Sequence, residues 1–274
     1  MKRLIVPVFS LALGIFVALQ PVAGAQQLTF EQQEEFLRTA KIIRERTLSQ
    51  GVTNSKRVTM TNGVITHDAQ VQTIDVFKQV FTGTFGTELN FKDTYKDNIA
   101  AYRLNRMLEI DMIPPSVERK VGGDSAAVTW WLDDVLMTEK QRFFKKIEPP
   151  DLDRWNRQMY IVRVFDQLIY NMDRNLGNLV ITKGWHIWMI DHTRSFRLYK
   201  TLKDPRNLVR CDRHLLETMK RLDRDSLMRE LRPYLTKGEI VGLLARRDRI
   251  VELFEEKIKL KGESAVLYDF LTTR

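Results

Sequence analysis

The stretch from 164 to 196 constrains the fold more than any other part of the sequence, because it predicts a fixed order of local structures. Apolar residues recur at steps of three and four over Trp155–Ile169, which predicts a helix that is buried on most sides. The segment Asn171–Asn178 is too polar and too rich in Asn, Asp and Gly to continue that helix. Leu179–Thr182 and Trp185–Ile190 then predict two strands of a hairpin joined by a Lys-Gly turn.

Three side chains with oxygen atoms lie at the loop ends of this stretch, and their spacing matches a known chemistry. Protein kinases use Asp-x-x-x-x-Asn, in which the Asp accepts the proton of the substrate hydroxyl and the Asn binds magnesium, and a second Asp after a hairpin binds metal. Here Asp173 and Asn178 have that spacing, and Asp191 follows the hairpin. Taken alone, each Asp is explained equally well as a residue of a turn or as a helix cap, without any catalytic role. Together they predict a general base, Asp173, and two ligands for a hard cation, Asn178 and Asp191.

The letters NMDRNLGN (171–178) and MIDHTRSF (189–196) resemble the core of the atypical kinase superfamily. That superfamily includes phosphatidylinositol kinases, HipA-type protein kinases and the secretory-pathway kinases that phosphorylate extracellular proteins. Arg174 and Gly177 fit the same pattern, and the resemblance is strong over residues 155–200. It implies an α+β, bilobal kinase-like fold with a β-rich small lobe and a mostly helical large lobe. It also implies ATP with Mg²⁺ or Mn²⁺ as cofactors, and a bacterial secreted member of the superfamily.

The small lobe departs from the superfamily at the pair of charges that holds the nucleotide phosphates. A lysine on the third strand and a glutamate on the following helix are expected, but Gln72 and Asn98 stand at those positions. Two amides are chemically consistent with each other, because an unpaired Lys or Glu is costly in a partly buried site. The exchange nevertheless removes a positive charge from the phosphates, and Lys56, Arg57 and Lys92 are the candidates to replace it.

Two further residues are candidates for nucleotide binding beside Gln72 and Asn98. Gly51 lies in a small and polar turn between two β-runs, where a kinase small lobe covers the phosphates, and an ordinary hairpin is an equal alternative. Trp131 falls where a kinase chain crosses between the lobes, so its ring is a candidate for the adenine pocket. The alternative for this tryptophan is a structural place in the core.

The N-terminal segment Met1–Ala25 has a basic start, an apolar run and small residues at its end, which together predict a secretory signal peptide. An uncleaved membrane anchor is the alternative, and no other stretch is apolar enough to span a bilayer. We therefore expect a periplasmic or secreted protein without a membrane span after cleavage. Residues 26–46, with an amphipathic helix over 30–46, then precede a small lobe over 47–134 and a large lobe over 135–274.

Charge and cysteine content narrow the choice of partners. The formal net charge is +9, and removal of the two basic residues of the leader leaves +7. This surplus favours anionic partners, but Lys and Arg are interspersed with acids and lack an aromatic platform, so nucleic acid is not a predicted partner. Cys211 is the single cysteine, so neither a disulfide framework nor a cysteine metal cluster is expected. The four histidines show no ligand spacing, and a zinc site is not predicted.

The sequence therefore predicts an ATP- and metal-dependent phosphotransferase that acts outside the cytoplasm on a hydroxyl acceptor. Protein is the favoured acceptor, and a sugar or a lipid head group remains open. The alternative is a secreted pseudokinase that serves as a binding or scaffold module without turnover. Gln72, Asn98 and the scarcity of ATP outside a bacterial cytoplasm favour that alternative, whereas the retained base and metal ligands argue against it. Metal-dependent hydrolysis of a phosphate ester would use the same acids, with water as the acceptor.

Overall fold

The computed structural model of the protein describes residues 28–47, 55–83 and 86–271. The expected signal peptide and the predicted phosphate-loop residue Gly51 lie outside these ranges. Within them, none of the helices combines the length and the apolar character needed to cross a bilayer.

The small lobe is built on a five-stranded antiparallel sheet in the order β1-β2-β3-β7-β6. Helices α1 and α2 pack against β6 and β7 of this sheet, and the side chains of α1 and of the sheet form a separate apolar core. The elements in chain order are α1 (Phe30–Thr39), β1 (Lys41–Thr47), β2 (Lys56–Thr61), β3 (Thr66–Gln72), β4 (Asp75–Gly83), β5 (Gly86–Thr94), α2 (Tyr95–Met107), β6 (Ser116–Val121) and β7 (Asp124–Trp130).

The amphipathic helix predicted over residues 30–46 is wrong in its C-terminal part. Helix α1 ends at Thr39, because Ala40 adopts an extended backbone with φ −63° and ψ 142°. The residues that follow form β1, an edge strand that pairs with β2. The two adjacent isoleucines of this segment suit a helix face and a strand alike, and backbone hydrogen bonds to β2 decide in favour of the strand.

The hairpin of β4 and β5 is an element that the sequence analysis did not predict. It forms a two-stranded antiparallel sheet apart from the main sheet of the small lobe. Strand β5 runs directly into α2, whose first turn is capped by the Thr94 hydroxyl. The hairpin therefore delivers the residues at its end, including Asp93, to the boundary between the lobes.

The large lobe is mostly helical and contains the larger apolar core. Its strands β10, β9 and β8 form a three-stranded sheet in that order, and β11 and β12 form a parallel pair. Asp212 in β11 also accepts hydrogen bonds from the N–H groups of Phe270 (2.8 Å) and Leu271 (3.1 Å). The elements are β8 (Val135–Thr138), α3 (Glu139–Phe144), α4 (Leu152–Ile169), β9 (Leu179–Thr182), β10 (Ile187–Met189), β11 (Cys211–Asp212), α5 (Arg213–Arg221), α6 (Arg224–Leu231), α7 (Lys237–Lys261), α8 (Glu263–Val266) and β12 (Leu267–Tyr268).

The helix, loop and hairpin predicted for the central stretch are confirmed as α4, the loop after it, and the β9–β10 pair. Asp151 caps α4, since its carboxylate accepts a hydrogen bond from the Arg154 N–H at 2.9 Å. A 3₁₀ turn over Leu176–Asn178 leads from the loop into β9. The stretch that carries the candidate site is thus anchored at both ends in the core of the large lobe.

The start of α2 is tied to the segment that follows β10 by three hydrogen bonds. Thr94 N–H donates to the Thr193 carbonyl at 2.9 Å. His192 N–H donates to Asn98 Oδ1 at 2.7 Å, and Ser195 N–H donates to the Asp97 carboxylate at 3.3 Å. These bonds cross from the small lobe to the large lobe, so they fix the position of β5 and α2 relative to Asp191.

Candidate active site between the two lobes

The loop after α4 is organised by Asp166, which lies in the last turn of that helix. Tyr170 adopts a left-handed backbone with φ 51° and ends the helix. The Asn171 N–H then donates to the Asp166 carbonyl at 2.9 Å, and the Asn171 side-chain amide donates to the Asp166 carboxylate at 3.0 Å. Arg174 completes the arrangement, with Nε 2.9 Å from Asp166 Oδ2 and Nη2 3.0 Å from Oδ1. The loop therefore has a fixed shape before any ligand binds.

Arg174 also connects this loop to the end of β10. Its Nη1 donates to the carbonyls of Asn178 at 2.9 Å and Ile190 at 3.0 Å. Its Nη2 lies 3.0 Å from His192 Nε2. Burial and the Arg174 charge hold the pKa of His192 well below its usual range, so the imidazole is neutral and accepts this hydrogen bond. Arg174 thereby sets the distance between the loop and Asp191.

Asp173 and Asn178 occupy opposite ends of the loop and are linked through the backbone. The Asn178 amide donates to the Asp173 carbonyl at 3.1 Å, and the Asp173 N–H donates to Asn171 Oδ1 at 2.9 Å. Asp173 is exposed, and its carboxylate has neither a hydrogen bond nor an ion pair within the described part of the chain. Because the Asn178 amide nitrogen is engaged, its oxygen remains available as a ligand.

Asp191 follows β10 in a left-handed backbone with φ 56°, a conformation that Asp tolerates better than most residues. Its carboxylate accepts a hydrogen bond from the Thr193 hydroxyl at 3.2 Å. Partial burial raises the pKa of Asp191, and repulsion from Asp173 and Asp93 raises it further. Asp191 therefore lies close enough to Asp173 and to Asp93 to be repelled by each of them, as expected where a cation is to bind.

Asp93, at the end of β5, is a site residue that the sequence reasoning missed. Its Oδ1 is shielded from water and has no hydrogen-bond partner among the described residues. In the sequence, Asp93 and Thr94 before a helix are typical of a helix cap, and Thr94 does take that role by accepting a hydrogen bond from Lys96 N–H at 3.3 Å. The electrostatic interaction with Asp191 joins residues almost a hundred positions apart and leaves no local signal in the sequence.

These donors fit a hard divalent cation. The carboxylates of Asp93 and Asp191 and the amide oxygen of Asn178 are oxygen ligands of the kind that Mg²⁺ and Mn²⁺ prefer. A buried carboxylate oxygen without a partner is costly unless a proton or cation compensates it. The orphaned Oδ1 of Asp93 is therefore the observation of this structure that fits a metal.

A cleft of about 340 Å³ opens between the lobes beside these residues, which is within the usual size range of small-molecule sites. Asn98, Trp131 and Asp191 line it, together with Gln70, Ser116 and Thr129 and a set of apolar side chains: Ile113, Pro114, Leu132, Val135, Val180 and Met189. The ring of Trp131 is covered by the Arg57 guanidinium, which lies 4.2 Å from the ring centroid. Asn178 does not line the cleft, although its neighbour Gly177 does.

The two amides at the positions predicted for the ion pair, Gln72 and Asn98, contact each other. The Asn98 amide donates to Gln72 Oε1 at 2.5 Å, and both residues are buried. Asn98 lines the cleft, whereas Gln72 lies behind it. Asn98 is also the acceptor for His192 N–H, so one amide joins β3 and α2 to the segment after Asp191.

Of the three basic residues considered as replacements, Lys92 is excluded by its contacts. It is buried and bonds to Asp97 at 2.7 Å and to Glu239 at 2.5 Å, and it does not line the interlobe cleft. Lys56 is exposed and pairs with Glu45 at 3.1 Å. Arg57 pairs with Asp68 at 2.6 Å and is the one of the three that touches a residue lining the cleft, Trp131.

Solved structures of kinases share this fold. The structure of hydra Fam20 with sugar has a TM-score of 0.65 at 15% identity and covers 88% of this chain and 92% of that one. The Golgi casein kinase with Mn/ADP bound has a TM-score of 0.60 at 15% identity, with 89% of this chain and 80% of the other covered. The Helicobacter pylori proinflammatory kinase CtkA has a TM-score of 0.52 at 11% identity, with 82% and 98% covered.

Neither a protein-family model nor a curated protein matches the sequence. The structural likeness extends over both lobes and over most of each kinase, and at these identities it establishes the fold. The chain therefore has a bilobal, atypical kinase-like fold.

Proposed function

We propose that the chain is an ATP- and metal-dependent phosphotransferase that acts outside the cytoplasm on a hydroxyl acceptor. The observation that carries this proposal is Asp191, which lines the interlobe cleft and is repelled by both Asp93 and Asp173. Bound between Asp93, Asn178 and Asp191, Mg²⁺ or Mn²⁺ would neutralise phosphate charge during transfer. The fold and the Mn/ADP-bound Golgi casein kinase support a nucleotide as the phosphate donor.

Each residue of the site has a separate task in this proposal. Asp173 accepts the proton of the acceptor hydroxyl, and its free, exposed carboxylate supports that role. Trp131 stacks on the adenine, and Asn98, backed by Gln72, closes the cleft near the phosphates. Gly51 remains the predicted contact of the loop between β1 and β2. Arg174 positions Asn178 and Asp191 through its backbone contacts.

The acceptor is a hydroxyl group, with protein as the favoured class. The Golgi casein kinase and the hydra Fam20 structure with sugar both share the fold, so a protein and a sugar hydroxyl are both consistent with it. The predicted signal peptide places the reaction in the periplasm or outside the cell. Supply of ATP in that compartment is a requirement of this proposal.

A secreted pseudokinase is the second candidate function, and the Gln72–Asn98 pair favours it. Two neutral amides bond to each other at the positions where the sequence predicts the ion pair that activates kinases of this general design. Such a module would keep the cleft and the metal site for binding without turnover. The exposed and unpaired Asp173 carboxylate is the feature that a pure scaffold does not need.

Thermal unfolding with ATP and Mn²⁺ or Mg²⁺ tests the site. A ligand at a hundred times its dissociation constant stabilises the chain by about 2.7 kcal/mol, which raises the melting temperature by roughly 5–10 °C. We expect this shift to require nucleotide and metal together and to be lost in Asp191→Asn. Asp93→Asn should weaken metal binding at least tenfold, because it removes one of the two proposed carboxylate ligands. Asp124→Asn, at the exposed start of β7, is the matched control and should keep the full shift.

Turnover separates the two candidate functions. In a kinase, Asp173→Ala keeps the shift with ATP and metal but loses ATP consumption and phosphate transfer by about a hundredfold or more. In a pseudokinase, the unaltered chain shows the shift, consumes no ATP and is unaffected by Asp173→Ala. No shift at millimolar ATP with either metal would show that the proposed site is wrong.

A further inference from the structure

Helix α3 presents two adjacent aromatic rings to solvent. Phe143 is 60% exposed and Phe144 is 71% exposed, and the two rings contact each other edge to face at 5.9 Å. The helix beneath them is held firmly, because Arg142 bonds to Glu139 at 2.5 and 2.9 Å and lies 4.8 Å over the Trp155 ring. Adjacent exposed phenylalanines cost solubility, so this pair points to a contact surface.

Three lysines surround the aromatic pair. Lys140, Lys145 and Lys146 are exposed, and their ammonium groups form neither hydrogen bonds nor ion pairs with any residue of the described ranges. The acid within the helix, Glu139, is buried and paired with Arg142. Glu148 and Asp151 are exposed acids in the segment that follows the helix. The surface defined by Phe143, Phe144 and these three lysines, here named the α3 face, is therefore apolar and positively charged.

The α3 face lies beside the mouth of the interlobe cleft. Helix α3 packs against β8, β9 and the 3₁₀ turn that carries Asn178. Val135 and Thr138 of β8 line the cleft itself. Two apolar side chains on these neighbouring elements are also exposed, Leu136 at 42% and Leu176 at 38%. Whatever covers the α3 face is held next to the candidate active site.

We propose that the α3 face docks the protein onto an anionic lipid bilayer. Aromatic rings that enter the interfacial layer, with lysines at the level of acidic head groups, are the usual equipment of proteins that lie on membranes. The two rings protrude and do not line the cleft, so a protein partner would need a matching groove, whereas a bilayer needs no complementary shape. The three unpaired lysines of the α3 face supply the electrostatic attraction to anionic head groups.

Bilayer binding places the cleft at the membrane surface. This consequence rests on the proposed function, because only a phosphotransferase would act on hydroxyl groups presented there. The binding itself does not rest on it, since none of the residues of the α3 face belongs to the proposed catalytic or metal set. Lipid binding and nucleotide binding can therefore fail independently.

Vesicle flotation of the processed chain tests the proposal. The N-terminus of the purified protein must be checked first, because an uncleaved apolar leader would itself bind lipid. Vesicles of phosphatidylcholine with about a third phosphatidylglycerol should bind the protein, and pure phosphatidylcholine should bind it at least tenfold more weakly. Phe143→Ser with Phe144→Ser should weaken binding at least tenfold. Lys145→Glu with Lys146→Glu should weaken it about tenfold or more, with a smaller effect at high salt.

A matched control lies at the end of α7, where Leu260 is 82% exposed between Lys259 and Lys261. Leu260→Ser with Lys259→Glu and Lys261→Glu should leave vesicle binding unchanged. The α3 variants should keep the melting temperature and the shift with ATP and metal, which shows that they are folded. Failure of the unaltered chain to bind anionic vesicles, or equal losses in the control, would overturn the proposal, and the first result would leave the α3 face to a protein partner.

Discussion

The Gln72 and Asn98 side chains, at the positions where the sequence resemblance predicts the kinase lysine and glutamate, share a hydrogen bond of 2.5 Å. Both side chains are buried, so a charge introduced at one of them alone would lack a partner. Asn98 also fixes the segment after Asp191 through His192 N–H. A glutamate at the same position keeps an acceptor for that bond, and a lysine at the Gln72 position supplies the missing donor.

We therefore expect opposite results for the single and the double substitutions. Gln72→Lys and Asn98→Glu should each lower the free energy of unfolding by about 2–4 kcal/mol, because each buries an unpaired charge. The two together should recover most of that loss and bind ATP with metal at least as tightly as the unaltered chain. Urea unfolding and ATP titration measure both effects. If the double variant loses as much unfolding free energy as the two single variants added together, the introduced lysine and glutamate do not form an ion pair at these positions.

His186, before β10, gives the stability of the fold a pH dependence. Its Nε2 faces the Asp111 carbonyl at 3.2 Å, which can only accept, so the ring is a neutral donor there. Burial lowers the pKa of His186 to about 4. The unfolded chain takes up the proton near pH 6.5, before the folded chain does, so stability is lost as the pH falls from about 6.5 towards 4.

The predicted size follows from the exposure of this residue. His186 is only half-buried, so we expect a loss of about 1–2 kcal/mol over that window. His186→Gln keeps the hydrogen-bond donor but does not titrate. Over the same pH range, this variant should therefore lose about 1–2 kcal/mol less unfolding free energy than the unaltered chain. Urea unfolding of both chains at several pH values measures the difference in their unfolding free energies. Carboxylates that titrate in both chains affect both equally, so their contribution cancels from this difference. Parallel curves for the two chains would contradict the prediction.

At the scale of elements, Lys92 joins β5, α2 and α7 in one buried cluster. Its ammonium bonds to Asp97 at 2.7 Å and to Glu239 at 2.5 Å. Asp97 is completely buried, and burial raises its pKa to about 7 against the attraction of Lys92. Since α7 belongs to the large lobe, the cluster is a charged link between the lobes.

Removal of the cation should therefore destabilise the chain strongly. Lys92→Met leaves two buried carboxylates without their partner and should cost about 3–5 kcal/mol of unfolding free energy. Lys96→Met, which breaks the exposed pair with Asp75 (2.8 Å), is the control and should cost less than about 1 kcal/mol. Denaturant titration compares the two variants. Similar losses would mean that the cluster contributes no more than a surface pair.

The elements that the sequence predicted are those with strong local signals. Helix α4 repeats its apolar residues over five turns, and the loop and hairpin after it carry their own turn residues, so all three were predicted correctly. Strand β1 was mistaken for helix because its pairing with β2, across a segment that includes Gly51, decides its structure. The β4–β5 hairpin was missed because neither strand has a clear alternation of apolar residues, and most of its side chains are exposed.

For the whole molecule, the candidate site likewise combines residues that a local sequence pattern predicts with residues that only long-range packing brings in. Asp173, Asn178 and Asp191 lie within twenty residues of one another, so their grouping could be predicted from spacing. Asp93 joins them only through the docking of the small lobe on the large lobe, which hydrogen bonds such as Thr94 to Thr193 bring about. Lys92 was a candidate phosphate ligand by sequence alone, and only the folded structure shows that Asp97 and Glu239 engage it.

The pairing of β11 with β12 fixes the order in which the chain can fold as it is made. Cys211 and Asp212 emerge from the ribosome 56 residues ahead of their partners Leu267 and Tyr268, which is roughly 3 to 11 seconds of synthesis. Until those partners arrive, the side of the large lobe that covers the Cys211 thiol stays open. The large lobe can therefore reach its final packing only after β12 has been synthesised.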